Sequence, residues 1–119
     1  MAEIQNPKRY DLEDRTFRFA KRVIEYVRAL PKTITNIEIS KQLTRSSGSV
    51  GANYIEANEA LSKRDFIMRI KISRKEAKES CYWIGLSETS EDRLKEKEAL
   101  AQESNELMKI FGAILHNSE

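Results

Sequence analysis

Carboxylates paired at helical spacing are the first residues in this 119-residue chain that suggest chemistry. Glu56 and Glu59 lie three apart, and Glu76 and Glu79 repeat the spacing. A carboxylate-bridged di-iron centre in a helical bundle uses two Glu-x-x-His pairs with two further glutamates. Neither pair here is followed by a histidine, and the single histidine, His116, stands near the end of the chain. Structural zinc draws on a set of Cys and His ligands, which one cysteine, Cys81, and one histidine do not make. No metal site and no cofactor are therefore expected. Ser46, Ser47 and Ser49 lack a histidine base that would make one of them a nucleophile. Gly48-Ser49-Val50-Gly51 lacks the lysine and the spacing of a phosphate-binding loop. No catalytic residue emerges, and the chain reads as a non-enzyme.

What remains is binding. Residues 1–78 hold seventeen Lys and Arg against ten Asp and Glu, whereas residues 79–119 hold four against nine, although the net charge is only +2. That asymmetry suits a basic face for RNA or DNA, and it equally suits basic and acidic helices that pair with each other. Candidate nucleic-acid contacts are Arg15, Arg18 and Arg22 on one helix, with Lys63, Arg64, Arg69, Lys71, Lys75 and Lys78 on another. No aromatic residue is read as interleaved in those runs, so base stacking is not expected. Asn53 and Glu56 carry two readings, a ligand contact or a hydrogen-bonded structural network with Arg74.

Four helices must position these residues. Few glycines and prolines, 34% charged residues and a recurrent 3.6-residue apolar period point to an all-α fold. Residues 1–119 are long enough for one domain and one core, with residues 1–10 expected as a flexible arm. The first helix is expected from Asp11, its N-cap, to Leu30, with Pro31 as its stop. Its inner stripe is Phe17, Ala20, Val23, Ile24 and Val27, flanked by Leu12, Phe19, Tyr26 and Leu30. The second begins at a capping box, Thr35-Asn36-Ile37-Glu38. Its stripe is Ile39, Leu43, Ser46, Ser47, Val50, Tyr54, Ala57 and Leu61. Its Ser/Gly-rich middle, residues 46–52, is either a point of close helix approach or a break into a loop. The third runs from Ser62 to about Ser87. The fourth runs from Thr89 or Ser90 to about His116, with Leu94, Leu100, Leu107, Phe111 and Leu115 on its apolar side. Connections this short make sequential helices antiparallel neighbours, giving an up-down-up-down four-helix bundle. Cys81 falls on an apolar stripe, where a free cysteine packs as a small hydrophobe. No apolar run approaches the roughly 20 residues of a membrane span. The opening MAEIQNPKRY lacks an apolar signal core, so a cytoplasmic location without a membrane partner is the expectation.

The third helix is apolar on two sides. Phe66, Ile70, Ala77, Cys81 and Ile84 form one stripe, and Met68, Ile72, Trp83 and Leu86 lie on or near the opposite one. A single bundle covers only one of them, so the second is expected to meet a partner. Gly48 and Ala52 on the second helix join that expected oligomer interface, where small residues let another backbone come close.

The segment from Leu43 to Ala57, with its run R-S-S-G-S-V-G-A-N-Y-I-E-A, closely resembles a known family. Phe66-Ile67 and the run Glu76-Ala77-Lys78-Glu79-Ser80-Cys81-Tyr82-Trp83-Ile84 extend the likeness, which covers about Leu12 to Leu115. The family is that of the bacterial four-helix-bundle proteins encoded within intervening sequences of 23S ribosomal RNA genes. The resemblance implies a homopentameric ring of antiparallel bundles. A related bundle is the accessory protein of diversity-generating retroelements, a basic pentamer that works with a reverse transcriptase and nucleic acid. No catalytic residue carries over. The expected partners are thus further copies of the chain, RNA or DNA, or another protein docked on the ring as a scaffold.

Overall fold

The computed structural model describes the backbone of residues 7–118 and the side chains of residues 11–118. Four long helices account for nearly all of it: α1 Pro7–Ala29, α2 Ile34–Asn58, α3 Lys63–Leu86 and α4 Leu94–Ser118. A single 3₁₀ turn, Glu91–Arg93, leads into α4. No strand occurs among the described residues. Helices of 23 to 25 residues are about 35 Å long at 1.5 Å per residue.

Local chemistry sets the ends. Thr33 Oγ1 accepts the Asn36 amide at 3.0 Å and caps α2. Ser62 Oγ accepts the Asp65 amide at 3.0 Å and caps α3, with Asp65 placed to favour the helix dipole. At the far end of α3 the Ser87 amide donates to the Trp83 and Ile84 carbonyls. Two expected starts move. Asp11 lies inside α1, which begins at Pro7, a residue whose fixed φ suits a first turn. The expected arm of residues 1–10 therefore loses its last four to the helix, and residues 1–6 lie outside the described residues. Thr35 is not the cap of α2, because Thr33, two residues earlier, already has the extended backbone and the cap bond.

One core joins all four helices. Leu12, Phe19, Val23 and Tyr26 of α1 meet Leu43, Val50 and Tyr54 of α2, Ile70, Ala77 and Ile84 of α3, and Leu100, Leu107 and Phe111 of α4. Each large side chain buried there contributes about 1.5–3 kcal/mol. On α1 the buried stripe is rotated from the expected one. Phe17 is 61% exposed and Ile24 lies outside as well, while Thr16 takes an inward place. Leu61 is fully exposed because α2 ends at Asn58, and Leu94 is exposed at the start of α4.

The Ser/Gly-rich stretch of α2 stays helical. Its small residues form the seam with α3, where the Ser46 and Ser80 hydroxyls meet at 2.9 Å and Ser73 Oγ donates to the Val50 carbonyl at 2.9 Å. Gly51 serves the other side. A methyl group there would lie 2.8 Å from Thr16 Oγ1 and 3.1 Å from Thr16 Cβ, so the missing side chain lets α1 close onto α2. Gly48 faces open space. Buried polar bonds pin the end of the molecule where α3 finishes. The Tyr26 and Ser87 hydroxyls meet at 2.6 Å, and the Asn36 amide bridges the Pro31 carbonyl at 2.9 Å and the Glu88 carbonyl at 2.8 Å.

Candidate nucleic-acid interface

The expected basic positions divide into two sets with different surroundings. The first set lies on α1 and is consumed by carboxylates. Arg15 donates from Nε to Glu103 at 2.7 Å and from a terminal nitrogen to Glu106 at 2.8 Å. Arg22 holds Glu96 of α4 at 3.1 Å. Arg18 pairs with Asp14, four residues back on its own helix, at 2.9 Å. Hydrogen bonding to Glu103 holds the Arg15 guanidinium above its ordinary range, and the Glu106 carboxyl sits below the usual carboxylate range through Gln102 first and Arg15 second. These arginines are half-buried ties between α1 and α4, or local pairs, rather than a bare cationic strip.

The second set lies on α3. Lys63, Arg64, Lys71, Lys75 and Lys78 are all exposed, and none of them forms an ion pair with another described residue. Four of them follow the helix at intervals that keep one face outward: 64, 71, 75 and 78. Near the start of α3, Lys63, Arg64, Ile67, Met68 and Lys71 border an open depression of about 740 Å³. Arg69 does not belong to this surface. It is half-buried, donates to Asn53 Oδ1 at 3.0 Å, and leaves its Nε buried without a partner among the described residues.

The polar network forms with a different arginine from the one expected. Asn53 donates its side-chain amide to the Ser49 carbonyl at 2.9 Å and to Ser49 Oγ at 3.0 Å, and its oxygen accepts from Arg69. Arg74 is exposed and takes no part in this network, and the Glu56 side chain is exposed too. A second network joins α2 to α3. Arg45 of α2 reaches Glu79 at 2.7 Å and the buried Glu76 at 3.3 Å, and Trp83 Nε1 donates to Glu79 at 3.0 Å. The Trp83 bond, ahead of the one from Arg45, holds the Glu79 carboxyl below its ordinary range. The i, i+4 spacing of Glu79 and Trp83 was a visible signal; the crossing from Arg45 was not.

Of the expected interface residues, Met68 is 46% and Leu86 47% exposed, while Ile72 and Trp83 are half-buried. Gly48 and Ala52 are exposed on α2. Tyr82, absent from the expected set, is 62% exposed four residues beyond Lys78. Cys81 is half-buried and His116 exposed. Among the described residues no group of three or more His, Cys, Asp or Glu is placed to hold a metal, and no helix is long and apolar enough to cross a membrane.

Residues 8–113 match the family model of the 23S rRNA-intervening sequence protein. Among solved structures the chain resembles a protein of unknown function from the S23 ribosomal protein family of Bacteroides thetaiotaomicron VPI-5482. That likeness has 30% identity and a TM-score of 0.77, covering 92% of this chain and 98% of the other. No curated protein matches.

Proposed function

This chain belongs to the 23S rRNA-intervening sequence protein family, and from that premise we propose a non-enzymatic oligomer that binds RNA or DNA through the outer face of α3. The observation that carries the reading is the row of exposed lysines there that form no ion pair with another described residue. Unneutralised charge of one sign on a helix face is what a phosphate backbone attracts. The protomer is read as an antiparallel up-down bundle. Supporting that, contacts run in opposite numerical order across each pair: Arg15 with Glu103 and Arg22 with Glu96, Arg45 with Glu76 and Asn53 with Arg69. The assembly is read as a ring, five-membered on the family resemblance, in which each lysine row recurs by symmetry.

Titrating structured RNA and duplex DNA by filter binding at several salt concentrations tests the binding. Affinity falls steeply as salt rises if phosphates are the contact. No binding at low salt, or an affinity indifferent to salt, overturns the reading. The exposed Met68 and Leu86 favour a second reading, a scaffold ring that docks a protein and no nucleic acid. Light scattering tests the assembly itself: changing Met68 and Leu86 to glutamate lowers the mass if that stripe is an interface, and an unchanged mass removes it.

A further inference from the structure

The lysine row on α3 ends in an aromatic ring. Lys71, Lys75, Lys78 and Tyr82 follow one another at intervals of four, three and four, so they are neighbours on one helical face. All four are exposed on the single protomer, and the Tyr82 ring stands clear of its core. It is braced rather than loose. The Trp83 ring meets it edge-on, with centroids 5.1 Å apart and planes at 71°. Trp83 is in turn held by Glu79, and Glu79 by Arg45 on the neighbouring helix. That chain of contacts takes the hydrogen bonds of Glu79, the acidic side chain beside Lys75, and leaves Lys75 only a longer-range Coulombic attraction to it.

A track of free ammonium groups leading to an exposed, braced aromatic face combines the two elements that bind unpaired nucleotides: charge for phosphates and a π-surface for a base. A duplex buries its base faces within the stack and offers that ring nothing to stack on. We propose that the Lys71–Lys75–Lys78–Tyr82 face takes single-stranded nucleic acid, phosphates along the lysines and one base stacked on Tyr82. The proposal rests on the nucleic-acid reading of the same face and adds to it the strandedness of the ligand and the residue that senses it.

Fluorescence anisotropy with unstructured RNA and DNA strands of about 20 nucleotides and their duplexes, at about 50 mM salt, tests it on the intact assembly. Wild type is expected to prefer the single strand. Tyr82→Ala is expected to weaken single-strand binding about five- to a hundredfold, to leave duplex binding and the assembly mass unchanged, and to be rescued by Tyr82→Phe. Trp83, the only tryptophan of the chain, is expected to change its emission when the single strand binds wild type. The effect appears in the RNA arm, the DNA arm or both. Its absence from both, an equal loss for strand and duplex, or a changed mass in Tyr82→Ala overturns the proposal. If wild type binds neither strand nor duplex, the broader nucleic-acid reading falls; if it binds both and Tyr82 is indifferent, only the stacking site falls.

Discussion

Two helices of this molecule carry rows of cations, and only one row is left free. Along α1 the arginines are spent: Arg15 and Arg22 reach Glu103, Glu106 and Glu96 of α4. Along α3 the lysines at 71, 75 and 78 form no ion pair among the described residues, and Lys75 lies within Coulombic reach of a carboxylate, that of Glu79. The residue types differ little, but what lies opposite them differs entirely. The α1 row faces the acidic helix, while the α3 row faces outward. Pairs that still touch water contribute little to stability, about 0–1 kcal/mol each. They nevertheless cancel the local field that a phosphate chain would follow. A basic helix is therefore glue or ligand surface according to its neighbour, and charge counted along the sequence does not distinguish the two.

The sharpest break of that contrast is to reverse both rows in turn. Lys71→Glu, Lys75→Glu and Lys78→Glu together are expected to weaken nucleic-acid binding more than about a hundredfold. The slope of log affinity against log salt should shrink by about 2–3, with the melting temperature nearly unchanged. Arg15, Arg18 and Arg22 reversed together are expected to do the opposite, lowering stability through repulsion from α4. Equal loss of binding from both triples, in proteins still folded by circular dichroism, would erase the distinction between the rows.

The next effect concerns how α1 reaches its place at all. Gly51→Ala pushes a methyl into Thr16 and is expected to cost about 1–3 kcal/mol, read as a lower urea midpoint. Thr16→Ala in the same chain should recover part of it. Gly48→Ala, into open space, is expected to be neutral or to gain up to about 1 kcal/mol in helix propensity. Matching losses at both glycines would remove the close approach as the reason Gly51 lacks a side chain. Smaller again is Arg15→Met, which keeps the aliphatic stem and removes the ties to Glu103 and Glu106. About 1 kcal/mol of salt-sensitive destabilisation with unaltered nucleic-acid affinity is expected.

The architecture is legible because long-range periodicity and punctuation agree: Pro31 stops α1, Ser62 caps α3, and the α2 stripe from Ile39 to Ala57 is buried, with only Leu61 beyond the helix end falling outside it. Rotation about an axis was less legible. On α1, Phe17 and Ile24 continued a credible apolar stripe, yet the buried face is that of Leu12, Thr16, Phe19, Val23 and Tyr26. Two stripes that lie side by side look alike on a wheel, and the packing partners on the other helices, the close approach of Gly51 to Thr16 among them, choose between them. The site was half legible. That Lys71, Lys75 and Lys78 share a face follows from spacing alone. That Arg15 and Arg22 are spent depends on α4, some eighty residues away, and the exposure of Tyr82 beside the half-buried Trp83 depends on how α3 is turned against its neighbours.

Acid separates the rows by a different route, since it titrates carboxylates and leaves lysines charged. The Glu79 carboxyl, bonded by Trp83 and then Arg45, and the Glu106 carboxyl, bonded by Gln102 and then Arg15, both sit below the usual carboxylate range. Each therefore contributes stability above the unfolded value of about 4.3, and that contribution is lost as pH falls through the depressed folded value. Melting temperatures taken from pH 6 down to about pH 3 should decline at the acid end. Glu79→Gln with Glu106→Gln should flatten that decline, because the groups that titrate are gone, while the triple lysine variant should steepen or preserve it. A decline undiminished in the double glutamine variant would mean that the bonds to Glu79 and Glu106 are not what acid loosens.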